Sequence, residues 1–136
     1  MLRCLVASWD VRRGELLCEA AADESWQTVL CEDGPAVLKS LFQLDLPLAV
    51  FDLPSGGEGA QWLREATLRA VEFPRCLVVA CVERGDPRQE QWARESGVWA
   101  YLPEPELESG VRVVFRDARE AFARQALSQD AVAARW

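Results

Sequence analysis

Hydrophobic positions along the chain fall into blocks whose period switches between strand-like and helix-like. Leu2 to Ser8 is almost continuously apolar, interrupted only by Arg3 and ended by Ser8, as in a strand buried on both faces. From Asp10 to Ala22, Val11, Leu16, Leu17 and Ala20 recur at near-helical spacing. Trp26 to Cys31 is a more polar run and predicts a strand near a sheet edge. Gly34-Pro35 then opens a helix in which Val37, Leu38, Leu41 and Phe42 share one face expected to be buried. Leu46 to Leu53 predicts a third strand, and Pro54-Ser55-Gly56-Gly57 reads as a loop. Gln61 to Val71 is helical, with Trp62, Leu63, Ala66 and Ala70 turned inward. Cys76 to Val82, the most continuous apolar run, predicts a central parallel strand. Asp86 and Pro87 mark the start of a short helix to Glu95, with Gly97 just past its end. Val98 to Leu102 predicts a fifth strand, and Leu107 to Leu127 a last helix.

The order βαβαβαβαβα predicts an α/β fold: a doubly wound parallel sheet with helices on both faces and right-handed crossovers. A chain of 136 residues fits one domain, here 1–127, with 128–136 either extending the last helix or forming a tail. Half the residues are hydrophobic, enough for a sizeable core. A net charge of −7, with 15 basic residues spread among 22 acidic ones, opposes phosphate contact, so no nucleic-acid partner is expected. No apolar run reaches the roughly 18–20 residues of a membrane span, and the start lacks the long apolar stretch of a secretory signal. The absence of histidine excludes Ser-His-Asp chemistry and His-ligated zinc. Cysteines at 4, 18, 31, 76 and 81 are odd in number and show no CxxC pair. They read as small buried hydrophobes in a reducing cytoplasm rather than as metal ligands.

Three segments carry a resemblance. Gly97-Val98-Trp99-Ala100-Tyr101-Leu102-Pro103-Glu104-Pro105 resembles the G-A-x-x-Y-(L/I)-x-K-P signature that ends the fifth strand of bacterial response-regulator receiver domains. Cys31-Glu32-Asp33-Gly34-Pro35-Ala36-Val37 resembles that family's approach to its second helix. Leu48-Ala49-Val50-Phe51-Asp52-Leu53 resembles the strand that carries its phosphoacceptor. The resemblance covers residues 2 to about 124 and implies a flavodoxin-like (βα)5 fold of strand order 2-1-3-4-5, with Asp52 at the acceptor position.

The departures from the family pattern bear on chemistry. A receiver holds Mg²⁺ with two acidic residues at the end of its first strand. Without the metal nothing offsets the charge of an incoming phosphoryl group. Those positions are Ser8 and Trp9 here, with Asp10 one place beyond. The hydroxyl residue of the fourth strand falls at Ala80 or Cys81, depending on register, and neither has a hydroxyl. The family's lysine becomes Glu104. At about 4 Å and an effective dielectric near 20, that swap turns an attraction of roughly 4 kcal/mol into a similar repulsion. The resemblance therefore implies a degenerate receiver in which Asp52 is a relic without a counter-ion, no cofactor is needed, and Trp9 packs into the vacated pocket. It also implies a protein partner or homodimer through the face of the fourth helix, fifth strand and fifth helix. Trp92, Trp99, Tyr101, Arg112, Arg116 and Arg119 are the expected contacts. Two alternatives stay open: an active receiver with Mg²⁺ held by Asp10, Asp52 and a loop carboxylate, with Glu104 at the same edge; and a small ligand-binding or enzymatic flavodoxin-like domain.

Overall fold

The computed structural model describes residues 2–82, 87–103 and 110–134. Five strands and five helices alternate: β1 (Arg3–Ser8), α1 (Val11–Asp23), β2 (Gln27–Cys31), α2 (Gly34–Gln43), β3 (Leu48–Leu53), α3 (Glu58–Val71), β4 (Leu77–Val82), α4 (Pro87–Glu95), β5 (Ala100–Pro103) and α5 (Gly110–Ala134). All strand pairs are parallel, in the order β2-β1-β3-β4-β5. The polar run at Gln27–Cys31 forms one edge, and the all-buried β3 lies at the centre.

Side-chain alternation sorts the sheet into two cores. Leu5, Ala7, Ala49, Phe51, Val78 and Ala80 face α2, α3 and α4, meeting Val37, Leu41, Leu63, Ala66 and Ala93. Cys4, Val6, Leu48, Val50, Val79 and Cys81 face α1 and α5, meeting Leu17, Ala20, Val111, Phe115 and Ala118. Alternate side chains along each strand therefore face one helix layer or the other.

Local signals explain the helix starts. Asp10 caps α1 and Asp33 caps α2, each accepting a backbone N–H three residues on, and Pro35 sits in the first turn of α2. Gly97, past the end of α4, has φ +91, a conformation side chains with a Cβ resist.

Several expectations shift. Phe42 does not join the buried face of α2. It is 77% exposed and meets Phe73 edge-on, with ring centroids 5.4 Å apart. Phe73 in turn lines an apolar cleft of about 230 Å³ with Leu41, Leu44 and Leu46, at the edge of the sheet where β3 and β4 begin. Val11, in the first turn of α1, is also exposed. The last helix runs through Ala134, so 128–134 extend it. The start expected at Leu107, the cap expected at Asp86 and the position of Glu104 lie outside the described residues.

The α1–α5 seam is polar at its end. Glu24 closes α1, a place where the helix dipole disfavours a negative charge. Two arginines of α5 offset it: Arg116 Nη2 donates to Glu24 Oε1 at 3.1 Å, and Arg119 donates to the Glu24 carbonyl at 3.0 Å. The Arg116 hydrogen bond, helped by the charges of Arg116, Arg119 and Arg112, holds the Glu24 carboxyl below its ordinary value. A carboxyl depressed by folding stabilises the fold above its unfolded pKa and loses that contribution as pH falls through the lower folded value. Stability of the native chain should therefore fall below about pH 4.5 more steeply than that of Glu24→Gln. Urea midpoints taken across the acid range measure the difference, and parallel curves would remove Glu24 from the acid response.

Candidate functional site

Parallel strands bring Ser8, Asp52 and Cys81 into one row near the end of the sheet where the strands finish. Ser8 pairs in register with Asp52, and Asp52 with Cys81. All three follow the alternation that points toward α1 and α5. Ala80 points the other way. Register thus decides between Ala80 and Cys81: the thiol of Cys81 stands beside Asp52. Burial pushes that thiol up, the Asp52 charge adds to the rise, and Arg13 offsets part of it. A protonated buried thiol offers neither a nucleophile nor a hydroxyl.

Asp52 is not without a counter-ion. Its side chain is only 2% exposed, and Arg13 reaches it from α1 in a two-pronged pair, Nε to Oδ2 at 2.7 Å and Nη2 to Oδ1 at 2.9 Å. The Ser8 hydroxyl donates a third hydrogen bond to Oδ2 at 2.8 Å. Fork geometry of this kind is the strongest that a carboxylate and a guanidinium make. The expected lone carboxyl is corrected: desolvation of Asp52 selects a partner, and the first turn of α1 supplies one.

The local chain explains how Arg13 gets there. Asp10 turns the backbone at the start of α1 and accepts from Arg13 N at 2.9 Å, which fixes the residue's height above the strand end. The Ser8 hydroxyl also accepts from Asp10 N at 3.2 Å. Gly14 lets α1 lie close: a Cβ there would stand 3.0 Å from Leu30 Cδ1 and 3.5 Å from Ser8 Cβ. The sequence held a signal for this pairing. Arg12 and Arg13 sit in a first turn without acidic residues, against the helix dipole, by about 0.3–1 kcal/mol per charge. A cation placed there implies a negative charge within its reach.

Trp9 does not pack into the pocket. It is 41% exposed, and the Arg13 guanidinium lies 5.7 Å from the centroid of its ring. The N-terminal turn of α3 approaches the same side chain, since a Cβ on Gly59 would meet Trp9 Cβ at 3.4 Å. The guanidinium, not the indole, fills the space next to Asp52, because only a cation offsets the desolvated charge.

The donor set does not fit a divalent metal. Both Asp52 oxygens are engaged by Arg13, Ser8 supplies a hydroxyl where an acid is needed, and one Asp10 oxygen caps α1. Of the expected convergence of Asp10, Asp52 and Glu104, Glu104 lies outside the described residues, and among the described residues no group of three or more His, Cys, Asp or Glu side chains could hold a metal ion.

The expected contact residues divide between two places. Trp92 is half-buried on α4 beneath the Arg64 guanidinium, 5.6 Å from its ring centroid, while Trp99 is 42% exposed and Tyr101 is half-buried against the core. Arg112, Arg116 and Arg119 belong to the α1–α5 seam instead, paired with Asp23 and Glu24. The acidic end of α1 thus engages all three arginines of α5. Gln89, fully buried on α4, donates to the Pro54 carbonyl at 2.6 Å and ties the loop after Asp52 to α4. Nothing in the hydrophobic pattern marks that contact.

No protein-family profile and no curated protein sequence matches the chain. Solved structures match its fold. A response regulator receiver domain protein (CheY-like) from Methanospirillum hungatei JF-1 superposes with a TM-score of 0.74 at 15% identity, over 94% of this chain and 98% of that one. NtrX from Brucella abortus in complex with ADP gives 0.77 at 19% identity over 96% of this chain, which spans 29% of the NtrX chain. The response regulator TrrA from Thermotoga maritima, in complex with Mg(2+)-BeF, gives 0.67 at 16% identity, over 87% and 99%. Five parallel strands in the order 2-1-3-4-5 with five helices define a flavodoxin-like fold of the CheY type. Among the described residues no helix is long and apolar enough to cross a membrane.

Proposed function

We propose that the chain is a receiver-like signalling domain that takes no phosphoryl group and acts through protein contact, as an interaction or oligomerisation module. One observation carries this reading: the carboxylate at the acceptor position is buried and held by Arg13 and Ser8. A nucleophilic carboxylate needs a lone pair free toward the phosphorus and cations around the transferring group. Here the cation is spent on the carboxylate itself.

Contact runs through the α4–β5 side, which carries Trp99, a large exposed aromatic just before β5, together with half-buried Trp92 of α4 and Tyr101 of β5. Exposed aromatics at a protein surface are favoured anchors for a partner. No enzymatic activity and no cofactor belong to this reading. Its location is the cytoplasm, where five unpaired cysteines persist as thiols.

The test is incubation of the full chain with Mg²⁺ and acetyl phosphate, followed by intact mass spectrometry. The expected result is an unchanged mass. A stoichiometric acyl phosphate mapped to Asp52 would overturn the reading in favour of an active receiver. Sedimentation over a concentration series then separates self-association from a need for a second protein.

A further inference from the structure

We infer that Arg13 is the resident cation of the Asp52 pocket: its guanidinium takes the place of a divalent metal ion, and it, rather than the shortage of acidic residues alone, closes the pocket to Mg²⁺. The inference deepens the reading of Asp52 as an acceptor position that takes no phosphoryl group, and rests on it for the choice of metal.

The geometry supplies the reasons. A divalent ion approaching Asp52 has to reach a carboxylate whose Oδ1 accepts Arg13 Nη2 and whose Oδ2 accepts both Arg13 Nε and the Ser8 hydroxyl. Mg²⁺ demands near-octahedral oxygen ligands at about 2.0–2.1 Å and gives up its water reluctantly. It therefore has to displace the guanidinium before it gains a ligand. Displacement is opposed three times over. The helix cap at Asp10 holds the Arg13 backbone in position, the fork fits both carboxylate oxygens, and the guanidinium lies against the Trp9 ring. Two cations cannot share this space either, because a positive charge beside Arg13 in a desolvated pocket is repelled.

This separates two explanations for a site that takes no metal. If missing acids were the whole cause, restoring one acid at the end of β1 would suffice. If Arg13 is the barrier, an added carboxylate at position 8 only tightens the hold on the guanidinium, and the pocket opens when the guanidinium is removed. The loss of Mg²⁺ chemistry is then a substitution of one cation for another, and the fold keeps a neutralised carboxylate at the centre of its sheet edge.

The experiment compares the native chain, Ser8→Asp, and Ser8→Asp with Arg13→Gln, each titrated with MgCl₂ and followed by the backbone amide NMR signals of positions 8 and 52. Glutamine keeps the reach and one amide donor toward Asp52. Ser8→Asp with Arg13→Met is a second variant should the first fold poorly, and the dispersion of the same spectra reports folding directly. The double variants should show a saturable shift centred on residues 8 and 52, with Mg²⁺ bound at least tenfold more tightly than by Ser8→Asp, about 1.4 kcal/mol. The native chain should show no such shift. Equal Mg²⁺ binding by Ser8→Asp and the double variants would overturn the inference, as would site-centred binding by the native chain or no binding by either folded double variant. Phosphoryl uptake by the native chain would instead sink the functional reading, and the mass measurement reads that separately.

Discussion

Arg13→Ala should destabilise the chain by about 3 kcal/mol. Removing one partner of a buried ion pair costs roughly 3–5 kcal/mol, because the other charge is left desolvated. The lower end applies, since Arg13 is 30% exposed on its side chain while Asp52 is only 2% exposed. The effect is asymmetric. Asp52→Asn leaves a guanidinium that turns toward water and costs less, whereas Arg13→Ala strands a carboxylate with one Ser8 hydrogen bond. Combining Arg13→Ala with Asp52→Asn removes the stranded charge and should recover most of the loss, so the double-mutant cycle reports a favourable coupling. Urea denaturation measures all four states. With ΔG of unfolding typically about 5–15 kcal/mol for such domains, a loss of this size is a large fraction of the total. An Arg13→Ala chain within about 0.5 kcal/mol of native, the ordinary range for surface substitutions, would show that the fork contributes nothing to the fold.

Trp26→Ala should cost about as much, roughly 3–5 kcal/mol, by a different route. Trp26 follows Ser25, whose φ of +69 makes the sharp turn out of α1, and its ring is 3% exposed among the side chains facing α1 and α5. Its indole N–H donates to the Phe115 carbonyl at 3.0 Å, within the buried part of α5. The substitution therefore opens a ring-sized cavity and removes the hydrogen bond that ties the α1–β2 turn to α5. Trp26→Phe keeps most of the packing and should lose only about 1–2 kcal/mol, from the missing hydrogen bond and the smaller ring. Amide hydrogen exchange along α5 distinguishes a local from a global effect. Faster exchange confined to 111–119 is expected in Trp26→Phe, and unchanged protection there would mean that α5 is held by its apolar contacts alone.

The site shows how far local pattern reaches. Asp52 is identifiable as the one acid in an otherwise apolar strand, next to its end, and Ser8 as the polar residue that ends β1. Their hydrogen bond then follows from register, since parallel pairing of β1 and β3 sets Ser8 opposite Asp52. Arg13 was legible only as an oddity, a cation in the first turn of a helix, and its partner lies 39 positions away. Trp9 was misplaced for a related reason. An indole in place of an acid suggests packing by size, but a desolvated carboxylate prefers charge to volume, and Arg13, four residues beyond Trp9, brings that charge to Asp52. Phe42 lies on the apolar stripe of α2, yet it is its neighbour Leu41 that enters the core from the last turn, while the Phe42 ring stays exposed and meets Phe73 edge-on.

Period and punctuation along the chain determined the alternating elements, the parallel sheet, the polar edge strand and the residues that fill both cores. These are properties of each residue's burial, and burial is written locally in spacing. Tertiary structure alone decided that Arg13 neutralises Asp52, that Cys81 rather than Ala80 stands beside it, and that Arg116 and Arg119 close on Glu24. Such pairings depend on which ends the crossovers bring together and on how little water remains between them, and no run of neighbouring residues encodes either.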